Sequence, residues 1–105
     1  MIETIKKLFG MGGQKADLGE LLANGAIIID VRTTGEYAGG HLNRSVNIPL
    51  NNLQGQMGKL KKDTPIITCC ASGMRSSSAR ATLLSAGFKE VHNGGSWSNL
   101  KRYDK

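Results

Sequence analysis

Aromatic side chains are scarce in this chain: one Trp, two Tyr and two Phe among 105 residues. They are too few and scattered to give the basic-aromatic interleaving that single-strand nucleic-acid binders use for stacking. Long apolar runs are also missing. No stretch approaches the roughly 20 residues needed to span a bilayer. The opening Met1–Phe9 carries an acid near its front and lacks the apolar core and cleavage site of a secretory signal. A cytoplasmic location is the expectation. Cysteine is confined to the adjacent pair Cys69-Cys70. Neighbours on a strand point to opposite faces, so an ordinary disulfide between them is not expected. Two cysteines do not complete a tetrahedral zinc site, and His41 and His92 show no ligand spacing relative to them. No metal and no cofactor is expected. Chemistry at a cysteine is the reading that remains.

The size, 105 residues and 11.2 kDa, suits a single core. Fourteen Lys and Arg against eight Asp and Glu give a net charge of +6, which favours anionic partners. The bases are spread, however, and the densest group, Lys59-Leu60-Lys61-Lys62, reads as a solvated helix end. Neither nucleic acid nor membrane is an expected partner. Residues 1–14 read as an N-terminal helical segment, with Ile2, Ile5, Leu8 and Phe9 on one side and a Gly-rich joint from Gly10. Residues 15–105 form the main domain.

Within that domain Asp17 to Glu20 has the spacing of a capping box, opening a brief helix that stops at Asn24-Gly25. Residues 26–31 are an apolar run ending in an acid, the pattern of a strand covered on both faces. A helical turn is predicted over 34–38 and a brief strand over 45–49, closed by Pro49. Leu53, Met57 and Leu60 predict a helix over 51–62. Residues 64–69 read as another buried strand with Pro65 near its start. Residues 76–86 predict a helix stopped by Gly87, and 89–93 a last strand. Gly94-Gly95 then turns the chain toward Trp97 and Leu100. Alternating strands and helices argue for an α/β fold with a mostly parallel sheet covered on both faces. Ligands of such sheets sit beyond the carboxyl ends of the strands.

Cys70-Ala71-Ser72-Gly73-Met74-Arg75-Ser76 falls at such an end. A short loop between strand and helix can turn its N–H groups inward and place the positive helix end behind them, which makes an anion cradle. A thiol in that cradle loses its proton readily, because the N–H groups and the Arg75 guanidinium stabilise the thiolate. Gly73 lets the loop turn without a Cβ clash. Cys70 is therefore the candidate nucleophile. Cys69, on the buried strand, reads as a core thiol. Asp30 and Arg32 read as a buried polar network at a strand end, since an unpaired buried acid is costly.

The order Asp30-Val31-Arg32, Glu36-Tyr37, Gly40-His41, Asn47-Ile48-Pro49, Cys70-x-x-Gly73-x-Arg75-Ser76, Gly94-Gly95 and Trp97 resembles the rhodanese homology domain in its small single-domain form, from about Asp17 onward. The resemblance implies about five parallel strands with helices on both faces. It also implies an enzyme, a thiosulfate sulfurtransferase working through a persulfide on Cys70. The N–H groups of Ala71, Ser72, Gly73, Met74, Arg75 and Ser76 would hold the sulfur and the donor, and Arg75 would pair with an anionic donor. Asp30, Arg32, Glu36 and His41 belong to the structural part of the motif, with His41 tying a loop. The acceptor would be cyanide or a thiol, including one on a thioredoxin-like or sulfur-carrier protein. Two alternatives stand beside this reading. One is a non-enzymatic rhodanese-type binding module, which usually lacks the cysteine. The other is a cysteine-dependent phosphatase using Cys69-x5-Arg75; counted from Cys70, the loop is one residue too short for that pattern.

Overall fold

The computed structural model describes residues 17–104, so the expected N-terminal segment over 1–14 lies outside them. The elements run α1 (Leu18–Ala23), β1 (Ile27–Asp30), α2 (Thr34–Ala38), β2 (Ser45–Asn47), α3 (Leu53–Gln56), β3 (Ile66–Cys70), α4 (Met74–Ser85) and β4 (Val91–Ser96). Short 3-10 turns flank α3, and a longer 3-10 segment, Trp97–Tyr103, follows β4. All strand pairings are parallel, in the order β2-β1-β3-β4. The described residues thus contribute four strands to the expected parallel α/β sheet.

Every residue of β3 is buried, as a central parallel strand requires. Its side chains alternate between two clusters. Ile66 and Cys70 join Ile29, Leu53, Ala79 and Leu83 under α3 and α4. Ile67 and Cys69 join Leu22, Ile28, Leu42 and Leu100 under α1 and the last 3-10 segment. Each fully buried Ile or Leu contributes about 1.5–3 kcal/mol of transfer free energy.

The Asp17 carboxylate accepts from the Glu20 N–H at 3.0 Å and caps α1. Gly25, at φ +102°, ends that helical stretch.

Two elements differ from the expectation. The helix predicted over 51–62 is a broken series, with 3-10 turns over Leu50–Asn52 and Met57–Lys59 around a four-residue α3. Gly55 and Gly58 weaken helix there, and burial of Leu53 with partial burial of Met57 and Leu60 holds the segment in place. The second difference is Gly94-Gly95, which lies inside β4 rather than in a turn after it. Thr68 pairs with Asn93 but Cys70 with Ser96, so β4 carries one extra residue. That is a β-bulge, and the glycines occupy it.

The chain leaves β1 toward β2 on one side and leaves β3 toward β4 on the other. The carboxyl ends of β1 and β3 therefore flank the topological switch point, where open α/β sheets form a crevice. Asp30 ends β1 and Cys70 ends β3.

Gly94 is packed tightly behind this crevice. A Cβ there would lie 2.9 Å from Ile67 Cγ2 and 3.0 Å from both Leu100 Cδ1 and the Thr68 carbonyl oxygen. Gly94→Ala is expected to lower stability by about 1–3 kcal/mol, read as a lower urea midpoint at constant m-value. An unchanged midpoint would mean that the bulge relaxes freely.

Candidate active site

The loop joining β3 to α4 is three residues long, because β3 runs through Cys70 and α4 begins at Met74. Both boundaries differ from the expected strand end at 69 and helix start at 76. Met74, Arg75 and Ser76 are thus the first turn of α4. The helix starts early because Gly73, at φ +105°, takes the left-handed turn that enters it. No side chain caps this helix from Gly73. The Cys70 sulfur stands in that place: Sγ accepts from the Gly73 N–H at 2.9 Å and from the Ser76 N–H at 3.4 Å. A capping side chain normally takes the N–H of the second or third helical residue, and Ser76 is the third. A negative sulfur there also meets the positive end of the helix dipole.

Burial is the largest single influence on the Cys70 thiol and pushes its pKa up. The Ser76 hydroxyl and the N–H groups of Ser76, Gly73 and Ser72 act together in the other direction and outweigh it, leaving the thiol below its ordinary value. Cys69 shows the opposite balance. Its burial, reinforced by the nearby Asp30 carboxylate, pushes it up to about 12.

The Ser76 hydroxyl is shared. It lies 2.6 Å from Asn93 Oδ1, 3.1 Å from the Gly73 carbonyl oxygen and 3.5 Å from Cys70 Sγ. Asn93 also donates to the Gly73 carbonyl at 3.2 Å and accepts from the Gly95 N–H at 2.9 Å. Beneath them, the Thr68 hydroxyl donates to the Ser76 carbonyl at 2.8 Å. Neither Asn93 nor Thr68 was singled out by sequence reasoning. The available signals were an Asn directly before the glycine pair and one hydroxyl inside an apolar strand.

The other predicted residues gather around the end of β1. Asp30 and Arg32 are 0% and 4% exposed. Arg32 donates from Nε and Nη2 to the Asp30 carboxylate at 2.8–3.0 Å and to the Gly40 carbonyl at 2.7 Å. Its guanidinium carbon lies 4.6 Å from the Trp97 ring centroid. His41 is set apart from the cysteine loop. Its ring stacks on Tyr37 at 3.8 Å, and Nδ1 lies 2.6 Å from the Tyr37 carbonyl oxygen.

Glu36 and Arg75 meet across the crevice. Nη1 donates to Oε1 at 2.7 Å and Nη2 to Oε2 at 3.0 Å, a two-pronged pair between α2 and α4. Arg75, with support from the Thr33 N–H, holds the Glu36 carboxyl down to about 2. The carboxyl is therefore the ionised partner of the guanidinium at neutral pH.

The rhodanese-like domain model matches residues 14–102 of this chain. The chain belongs to the rhodanese-like family. The thiosulfate sulfurtransferase GlpE of Ectopseudomonas mendocina (strain ymp) is 35% identical over 74 residues, covering 70% of this chain and 68% of that protein. YrkF of Bacillus subtilis (strain 168), assigned as a candidate sulfur carrier protein, is 38% identical over 80 residues, covering 76% of this chain and 41% of YrkF. Among solved structures, the human single-domain sulfurtransferase TSTD1 superposes with a TM-score of 0.72 at 25% identity, covering 85% of this chain and 93% of that one. Among these and other curated relatives, the chain spans from under half to about two thirds of the relative's own length. The rhodanese-like fold places the β3–α4 loop at the switch point of its parallel sheet, with the α2 segment facing it. No helix among the described residues is long and apolar enough to cross a membrane.

Alkylation by iodoacetamide should rise with pH through a midpoint below that of a free thiol, at one cysteine only. Ser76→Ala keeps the Ser76 N–H and removes the hydroxyl, and should raise that midpoint by about half to one unit. An unshifted midpoint would show that the hydroxyl proton serves Asn93 and Gly73 instead of the sulfur.

Proposed function

We propose that this chain moves a sulfane sulfur from thiosulfate or a persulfide donor to a thiol or cyanide acceptor through a persulfide on Cys70. The observation that carries the reading is the Cys70 sulfur seated as the acceptor of the Gly73 and Ser76 N–H groups at the head of α4. A thiolate in that seat needs no general base.

In the first half-reaction the thiolate attacks the outer sulfur of thiosulfate. A Cys70 S–S bond forms, the donor's S–S bond breaks, and the electron pair leaves with sulfite. The terminal sulfur of the persulfide carries the negative charge. The N–H groups around the loop are fixed dipoles aimed at where that charge develops. In the second half-reaction the acceptor attacks the terminal sulfur, and the electron pair of the broken S–S bond returns to Cys70. With cyanide the product is thiocyanate. With a thiolate it is a new persulfide on the acceptor. The likeness to YrkF supports a protein thiol, such as a thioredoxin-like or sulfur-carrier protein, as the acceptor class.

Two further observations favour sulfur over a phosphoryl group. Cys69, the cysteine of the Cys-x5-Arg pattern, faces the opposite side of the sheet from Cys70 and keeps its proton. From Cys70 the loop is Cys-x4-Arg, one residue shorter than the phosphatase pattern, and the carboxylate across the crevice, Glu36, is held ionised by Arg75 and so is a poor acid for a leaving group. Retention of the cysteine argues against a module that only binds.

The test is intact mass after thiosulfate treatment. Wild type and Cys69→Ala should each gain one sulfur that cyanide removes, and Cys70→Ser should gain none. The same preparation should form thiocyanate and leave p-nitrophenyl phosphate unhydrolysed. A cyanide-removable sulfur on Cys70→Ser, or phosphatase activity without sulfur transfer, would overturn the assignment.

A further inference from the structure

The resting site contains a second anion. The Glu36 carboxylate fills both prongs of the Arg75 guanidinium, and it does so across the crevice in which a donor would bind. Glu36 is not free to follow Arg75 elsewhere. Its Oε1 also accepts from the Thr33 N–H at 3.0 Å and the Thr33 hydroxyl at 3.1 Å, which closes the capping box of α2. The nearby Arg32 offers no replacement, since Asp30 and the Gly40 carbonyl already engage it. The two guanidinium–carboxylate pairs beside the loop are therefore each neutral.

We propose that Glu36 sets the donor specificity of this site: it competes with anionic sulfur donors for Arg75, so the resting protein favours a persulfide of low charge over a dianion such as thiosulfate. This rests on the sulfur-transfer reading above and deepens it. Glu36 touches no reacting atom and acts only through Arg75, so it is a positioning residue. The geometry sets the order of events for a dianion. Arg75 leaves Glu36, the donor takes the freed fork, and the planar two-pronged geometry that suited the carboxylate now suits the donor's oxygens. A donor that presents only a terminal sulfur to the Gly73 and Ser76 N–H groups leaves the ion pair closed. The apolar rim fits the same class of donor, since Ala71 lies in the loop and Met74, which follows it, is 78% exposed.

Glu36→Gln is the informative variant, because Gln at the third helical position keeps the capping box while removing the charge. The thiosulfate KM should fall about fivefold, the scale of a solvent-exposed ion pair, with kcat unchanged. A second readout needs no sulfur chemistry. The ratio of Cys70 alkylation rates by iodoacetate, an anion, and iodoacetamide, which is neutral, should rise about fivefold in the same variant. In an Arg75→Ala background, Glu36→Gln should change that ratio by less than about twofold, because the path through Arg75 is gone. An unchanged ratio in the single variant overturns the proposal even where sulfur transfer is normal. An equal rise in both backgrounds also overturns it, by reducing the effect to general charge. A rise seen only where Arg75 is retained, in a protein that transfers no sulfur, would support the competition for Arg75 and sink the sulfur-transfer reading instead.

Discussion

The buried pair of Asp30 and Arg32 is the interaction on which the rest of the site depends. Two charges taken out of water demand full satisfaction, and removing one partner of such a pair costs about 3–5 kcal/mol. Here Asp30 accepts from the Arg32 backbone N–H as well as its side chain, so a turn at the end of β1 is written into the pairing itself. The guanidinium then reaches the Gly40 carbonyl and, at 3.4 Å, the Glu36 carbonyl. Thr33 caps the start of α2, and Arg32 binds one carbonyl within α2 and another just beyond its end. Because α2 carries the Glu36 side chain, the buried pair fixes the position of the exposed pair that spans the crevice.

The opposite wall of the loop depends on β4. A regular strand would run past Cys70 with side chains facing it; the bulge at Gly94-Gly95 lets the backbone approach instead. A Cβ on Gly73 would lie 3.4 Å from the Gly95 Cα, so two glycines face each other where the loop turns. Asn93 then supplies from one amide what two side chains would otherwise have to provide, one acceptor for the Ser76 hydroxyl and one donor for the Gly73 carbonyl. Such a network is rigid, and rigidity suits a site whose N–H groups must already point at the sulfur before charge develops on it.

The features visible in the sequence are those with a local cause. The Ile-rich runs of β1 and β3, the Asp17 cap and the Gly25 stop each follow from residue type and near neighbours. The loop was also legible, because a cysteine, a glycine and an arginine at fixed offsets between a strand and a helix restrict the geometry. The misreadings have non-local causes. Gly94-Gly95 looks like a turn until β3 is beside it, since its reason is the space taken by Ile67 and the Thr68 carbonyl. The sequence signals a helix start only at Ser76, because the cap of α4 is a sulfur four residues before Met74 rather than a conventional capping side chain. Nothing local marks Glu36 as the partner of Arg75, 39 positions away. Nothing local marks Asn93 either, because its partners come from the cysteine loop, α4 and the bulge.

The adjacent cysteines show how much chemistry a two-residue repeat can sort. One position along β3 separates a thiol beside the Asp30 carboxylate, pushed up to about 12, from one held below its ordinary value by N–H groups. Asp30 and Cys69 are register partners across the β1–β3 pairing, so the carboxylate that anchors Arg32 also raises the wrong thiol. A slip of one residue in β3 would exchange the two sulfurs between the faces of the sheet, setting Cys69 before the loop and burying Cys70 among Leu22, Ile28 and Leu100. Ile66 and Ile67 do not resist that slip, since it puts an isoleucine on either face; Thr68 does, because its hydroxyl bonds the Ser76 carbonyl of α4 and would be turned to the other face. The mismatch between β3 and the closing glycines is taken up in β4, where an extra residue can be absorbed without turning Cys70 away from the helix.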